Sequence, residues 1–187
     1  MKVLSLFDGI SAGRLALERS GIEVKKYYRS EIDKFANQVA DKNYPDSVSL
    51  GDVTKWKEWD IKWDEIDLLI GGSPCQGFSF AGKQLAFNDP RSALFFTYVD
   101  ILNHIKKHNP NVKFMLENVK MKKEHLNVIS EYLGVNPVLI NSSLVSAQNR
   151  QRYYWTNFEV TQPNDKGILL KDIIEDLPLN ESMPDNV

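Results

Sequence analysis

The stretch Val3-Leu4-Ser5-Leu6-Phe7-Asp8-Gly9-Ile10-Ser11-Ala12-Gly13 decides the architecture. Val3 to Phe7 is a short, mostly apolar run of the kind that forms a strand covered on both faces, as in a parallel sheet. Asp8-Gly9 breaks the run. Ser11 is placed to cap a helix continuing through Ala12, Leu15, Ala16 and Leu17, and Gly21 is placed to end it. Strand, glycine-containing loop and helix, in that order, bring backbone N–H groups and a helix N-terminus to the carboxyl end of the strand. Ligands bind there in open α/β sheets. The spacing is Gly-x-x-x-Gly and not the dinucleotide fingerprint Gly-x-Gly-x-x-Gly, so a ligand loop and plain turn chemistry both stand as readings.

Outward from this unit the alternation repeats. Val24 to Ser30 reads as a second strand ending at Glu31, 22 residues after Gly9, a distance that suits an acceptor for a ribose diol. A surface or helix-N-terminal carboxylate is the other reading. Asp33 caps a helix with Phe35, Ala36, Val39 and Ala40 on one face, closed by Tyr44-Pro45. Ser47 to Leu50 is a third strand, followed by Gly51-Asp52-Val53, where Asp52 is either an acceptor for an exocyclic amine or a turn residue. Trp56, Trp59 and Trp63 read as packing and as cover for the sheet. Ile66 to Ile70 is a fourth strand. A long helix from Arg91 carries Leu94, Phe95, Val99, Leu102 and Ile105 at helical spacing. Lys113 to Leu116 is a fifth strand ending in Glu117-Asn118-Val119, Glu124 to Leu133 a helix, and Val138 to Asn141 a sixth strand. The class predicted is α/β, a doubly wound, mostly parallel sheet.

The fourth strand leads into Gly71-Gly72-Ser73-Pro74-Cys75-Gln76-Gly77-Phe78-Ser79, which carries the only cysteine. A thiol on a tight loop at a strand end is a nucleophile or a small buried hydrophobe. The segment from Phe80 to Pro90 reads as an exposed loop of the kind that moves over a substrate. A carboxylate ending an apolar strand is costly if buried and unpaired, so Glu117 reads as a site residue. Arg150 and Arg152, two apart, share a face if their segment is extended; they suit a phosphate or a polar ring oxygen, or form a surface ion pair.

With 187 residues, 42% hydrophobic and 26% charged, the chain is one domain or most of one. A net charge of -2 carries no global nucleic-acid signature, although local basic patches such as Lys106-Lys107 and Lys122-Lys123 remain. One cysteine rules out an internal disulfide and suits a cytoplasmic setting. Three scattered histidines give no metal-ligand spacing, and no run is long enough for a membrane span.

Taken together, the chain resembles the cytosine-5 DNA methyltransferases. The match lies in Phe7 to Gly13, Glu31, Gly51-Asp52-Val53, Gly71 to Ser79, Glu117-Asn118-Val119 and Gln148-x-Arg150-x-Arg152, in the family's order and approximate spacing. Ser30-Glu31 and Ser146-Ala147-x-x-Arg150-x-Arg152-Tyr153-x-Trp155-x-Asn157 are similar to the vertebrate de novo branch, and Pro74 to Ser79 to the bacterial and phage restriction-modification form. The resemblance implies a Rossmann-like S-adenosylmethionine-binding catalytic domain over residues 1–160. It implies Cys75 as nucleophile on carbon 6 of a cytosine flipped out of double-stranded DNA. Glu117 would hold N3 and the amine of that base. Arg152, with Arg150, would hold its carbonyl oxygen. It implies a cofactor site of Phe7, Asp8, Gly9, Ile10, Gly13, Glu31, Ile32, Asp52, Val53, Pro74 and Leu94, with S-adenosylhomocysteine as product.

The family continues past this point into a target-recognition region and a final helix with a cofactor motif beside the first strand. Residues 161–187 look like the lead-in to that region. The chain is therefore expected to be weak or inactive alone, with a second chain as a possible source of the remainder. Two other readings are a tRNA cytosine methyltransferase, against which Gln76-Gly77-Phe78-Ser79 speaks, and a non-catalytic regulatory subunit, against which the retained Cys75, Glu117 and Arg152 speak.

Overall fold

A computed structural model describes residues 1–74 and 90–175, the side chains of 90–92 excepted. Cys75, the segment from Phe80 to Asp89 and the lead-in beyond residue 175 lie outside the described residues. The described residues form seven strands, the six read from the sequence and one more: β1 (Lys2–Leu6), β2 (Lys26–Ser30), β3 (Val48–Ser49), β4 (Leu68–Gly71), β5 (Lys113–Val119), β6 (Val138–Asn141) and the added β7 (Gln151–Thr156), the segment carrying Arg152, which is extended. Among the described residues four α-helices intervene: α1 (Ala12–Arg19), α2 (Lys34–Asn43), α3 (Pro90–His108) and α4 (Lys123–Leu133). The sheet order is β3-β2-β1-β4-β5-β7-β6, parallel throughout except that β7 runs antiparallel to both its neighbours.

The two sheet faces bury separate cores. On one, Leu4, Leu6, Leu69, Phe114, Leu116 and Trp155 pack beneath α3 and α4. On the other, Val3, Tyr27, Leu68 and Ile70 meet α1 through Leu17. The helical spacing in α3 holds: Phe95, Val99, Leu102 and Ile105 are buried, joined by Tyr98 and Ile101. The three tryptophans pack as expected, Trp56 and Trp63 edge-on at 5.9 Å with His104 of α3 against both.

Several local expectations change. Ser11 does not cap α1 with its side chain; it sits at φ 64 and its hydroxyl bonds to Asp8 instead. Asp33 does cap α2, accepting from Ala36 N at 2.7 Å, but the face with Phe35 and Val39 is exposed and of its apolar side chains only Ala40 is buried. Gly21 ends α1 as predicted, at φ +72, with its N–H donating to Glu18 O.

Trp155 carries the joint between β7 and α4. Its ring is fully buried and its Nε1 donates to Ser130 Oγ at 2.9 Å. Trp155→Ala leaves a large cavity and takes one of two hydrogen bonds from the Ser130 hydroxyl, which still donates to Leu126 O at 2.8 Å, and is expected to lower unfolding free energy by about 3–5 kcal/mol in a denaturant titration.

Candidate functional site

Strand register assembles the site. Leu6 pairs with Ser30 on one side and Gly71 on the other, and Gly71 pairs with Leu116. One residue further along each parallel strand stand Glu31, Phe7, Gly72 and Glu117. They form a row across the carboxyl edge of four adjacent strands, about 14 Å from first to last at ~4.8 Å per strand. Four segments far apart in sequence thus meet on one edge, as open α/β sheets bind their ligands.

The loop after β1 is held under strain. Phe7 (φ 57) and Ser11 (φ 64) are both left-handed, at about 1–2 kcal/mol each for residues with a Cβ. Asp8 opposes this cost. Its Oδ1 accepts from Tyr27 Oη at 2.7 Å, its Oδ2 from the Ser11 hydroxyl, and its N–H reaches Ser30 O at 3.2 Å. Burial and the nearby Asp8 carboxylate push the Tyr27 hydroxyl far above its ordinary pKa, so it stays a proton donor. Both Asp8 oxygens are thereby engaged within the protein. Gly9 (φ 59) donates its N–H to Glu31 Oε2 at 2.8 Å, and a Cβ placed on Gly9 would meet nothing within 4 Å. The loop therefore borders open space. Gly13 faces the opposite way: a Cβ there would come within 2.6 Å of Ile70 Cδ1, so this glycine lets α1 approach the sheet.

Glu31 Oε1 accepts from Ile32 N at 2.8 Å and Asp33 N at 2.9 Å. Asp52 accepts from Thr54 N and Thr54 Oγ1, both at 2.8 Å and both on Oδ1, which holds its carboxyl below the usual range and leaves Oδ2 for another donor. Ser30 Oγ donates to Gly51 O at 2.7 Å and ties the two acidic turns together. Phe7 and Leu94 lie half-buried at the fringe of the main core, while Ile10 and Ile32 expose 56% and 77% of their surface. Val53 is buried and Pro74 exposed.

The other half of the row holds the second carboxylate. A Cβ on Gly72 would sit 3.0 Å from Glu117 Oε2, so a larger residue there would crowd that carboxylate and shift it. Arg152, two residues along β7 from the partner of Glu117, brings Nε to 2.8 Å from Glu117 Oε1. The approach is not along the N–H direction, so this is an ion pair, and Nε remains a buried donor without a hydrogen bond. Tyr154 stands directly opposite Glu117; burial and that carboxylate raise its phenol. Arg150 lies further off: its charge acts on the Tyr154 phenol, and the ion pair to Glu117 is made by Arg152. Arg150 precedes β7, is exposed, and engages Asn141 through its backbone. Asn118 points to the opposite face, where its Nδ2 donates to Ser73 O at 3.3 Å and pins the start of the cysteine loop to β5.

Sequence reading did not assign Tyr27, Asn118 or Tyr154 to the site. Tyr27 and Tyr154 lie on strands, where their register opposite Val3 and Glu117 carries the information and composition does not.

Such an edge, with acidic acceptors on two adjacent turns and a carboxylate–guanidinium pair three strands away, defines a Rossmann-like methyltransferase fold. The family model described as C-5 cytosine-specific DNA methylase matches residues 1–184, and the chain belongs to that family. It is 40% identical over 167 residues to the orphan methyltransferase M.Rho11sI of Bacillus phage rho11s, covering 82% of this chain and 32% of the phage protein. It is 35% identical to the type II methyltransferase M.NlaIV of Neisseria lactamica, covering 98% of this chain and 48% of that one. Among solved structures, a Spodoptera frugiperda DNMT2 variant superposes with TM-score 0.61 at 26% identity, covering 90% of this chain and 54% of that chain. The chain thus spans a third to a half of the length of these two curated relatives.

Proposed function

We propose that this chain is the catalytic half of a DNA (cytosine-5) methyltransferase that uses S-adenosylmethionine and acts on double-stranded DNA. The observation that carries the proposal is the single row of Phe7, Glu31, Gly72 and Glu117 along the sheet edge, one step beyond paired positions. The cofactor fits the residues present. Gly9 borders open space beside Glu31, Asp52 keeps one oxygen free, and Ile10 and Ile32 offer exposed apolar surface next to those acceptors. Glu31 would take the ribose diol, Asp52 the adenine amine, and Phe7, Ile32 and Leu94 the ring. When bound, S-adenosylmethionine supplies an electrophilic methyl group.

Carbon 5 of cytosine is a poor nucleophile. Addition of the Cys75 thiolate to carbon 6 turns it into the end of an enamine. Glu117 donates a proton to N3 as the thiolate adds, and accepts from the exocyclic amine. Arg152 stabilises the base carbonyl and holds Glu117 in place. Once carbon 5 has taken the methyl group, its proton passes to water, the bond between Cys75 and carbon 6 breaks, and N3 returns its proton to Glu117. The base must leave the duplex to reach these groups.

A further polypeptide segment completes the molecule in this reading. Its support is a groove of about 400 Å³ beside α1, lined by Gly13, Ala16, Leu17, Ile70, Met115 and Phe158, on a sheet face that doubly wound folds cover. Low activity of the chain alone follows. Relatives from phage and bacteria support a cytoplasmic setting in such a host.

Labelled methyl from S-adenosylmethionine, incubated with the chain, is expected in duplex DNA at carbon 5 of cytosine, slowly and not in tRNA. Transfer to tRNA alone overturns the substrate. Glu31→Gln is expected to weaken S-adenosylhomocysteine binding at least about tenfold in a calorimetric titration.

A further inference from the structure

The carboxylate assigned to the ribose is held by a chain of contacts that begins at a buried cation. Arg29 lies two residues before Glu31 on β2, with only 1% of its surface exposed. An unsatisfied guanidinium there would cost several kcal/mol, and an apolar side chain would fill the position without that cost. Every group on it is engaged instead. Nε donates to Ser47 Oγ at 3.0 Å, Nη1 donates to Asn37 Oδ1, and Nη2 pairs with Asp41. Two of these three partners lie on α2.

The contact with Asn37 has a consequence for the site. A guanidinium only donates, so the Asn37 amide must present its oxygen to Arg29. Its nitrogen then faces away, and it donates to Glu31 O at 3.1 Å and Asp33 O at 2.9 Å. Those carbonyls bracket the turn whose amides hold Glu31 Oε1. With Oε1 fixed, Oε2 is left to Gly9 N. One buried cation therefore sets the orientation of one amide, and that amide clamps the turn that aims the carboxylate.

We propose that Arg29 and Asn37 are positioning residues for the cofactor ribose, acting through Glu31; this rests on the reading of Glu31 as the ribose acceptor. Neither touches the ligand. A purely architectural role, pinning α2 to the sheet, would affect folding but not discrimination of the ribose hydroxyls.

Asn37→Asp separates the two. It keeps size and the acceptor toward Arg29 but turns an oxygen, in place of two donors, toward two carbonyls. Asn37→Ala removes the clamp without adding charge and serves as the second variant should the first not fold. On the 187-residue chain without ligand, amide hydrogen exchange of Gly9 is expected to rise about tenfold, while Leu69 in the sheet centre is unchanged. Affinity for S-adenosylhomocysteine is expected to fall about tenfold, and affinity for its 2′,3′-dideoxy analogue, which has no diol, to stay at the parental value. Glu31→Gln is the control. If Glu31→Gln weakens binding of the diol ligand alone while both Asn37 variants keep parental Gly9 exchange and affinity, the positioning role is overturned and the ribose reading stands. Equal weakening of both ligands by the Asn37 variants overturns it in favour of architecture. If Glu31→Gln does not distinguish the ligands, the ribose reading itself fails and the proposal falls with it.

Discussion

Cys75→Ala lowers methyl transfer to DNA by at least about four orders of magnitude, measured as labelled methyl incorporated per chain at saturating S-adenosylmethionine. The expectation follows from the chemistry of the substrate. Carbon 5 of a neutral cytosine cannot displace a methyl group at a useful rate, and no other side chain of this protein combines nucleophilicity with thiolate character near neutral pH. Cys75 follows the segment that Asn118 ties to β5 through Ser73 O, and it comes three residues after Gly72 in the row. Cofactor affinity is expected to be unchanged in the variant, because the groups assigned to the cofactor lie chiefly on the β1, β2 and β3 ends.

Glu117→Gln is expected to reduce turnover about 10²- to 10⁴-fold with little change in DNA affinity. The amide keeps one donor and one acceptor and can still face N3 and the exocyclic amine. It cannot give N3 a full proton as the thiolate adds. A single-turnover rate measured beside an equilibrium DNA titration separates the two effects: the rate falls and the dissociation constant does not. A parallel loss in both would mean that Glu117 binds the base without doing proton chemistry. The substitution also removes the charge partner of Arg152, whose buried Nε has no hydrogen bond to fall back on. Part of the loss is therefore expected as disorder of the Arg152 side chain.

Much of the fold was legible because its signals are local. Apolar runs ending at Asp8, Glu31, Asp52 and Glu117 mark strand ends, and once those strands are parallel neighbours the ends must share an edge. Asp33 and Gly21 work through hydrogen bonds within a few residues of themselves, and the reading of both held. What escaped depends on contacts between distant segments. Periodicity groups Phe35 with Val39 but does not say whether anything covers them, and they are exposed. A polar residue inside a strand gives no sign that it is buried; Arg29 is legible only once Asn37, Asp41 and Ser47 are seen around it. Arg150 and Arg152 looked equivalent two residues apart. The start of β7 at Gln151 separates them: Arg152 is inside the antiparallel ladder beside Glu117, and Arg150 is before it. Ser11 has the composition of a cap, but the tightness of the Asp8 turn drives it left-handed and redirects its hydroxyl.

The central claim is that this chain presents a thiol to a cytosine beside its cofactor site. It is tested most directly by trapping the chain on duplex DNA containing 5-fluorocytosine. Fluorine at carbon 5 cannot leave as a proton does, so a single slow event accumulates as a stable adduct even where turnover is low. With S-adenosylmethionine present, peptide mass spectrometry is expected to find a methylated fluorocytosine nucleotide on Cys75, and none in Cys75→Ala. An adduct at any other residue, or no adduct when cofactor binding is saturated, would contradict the account.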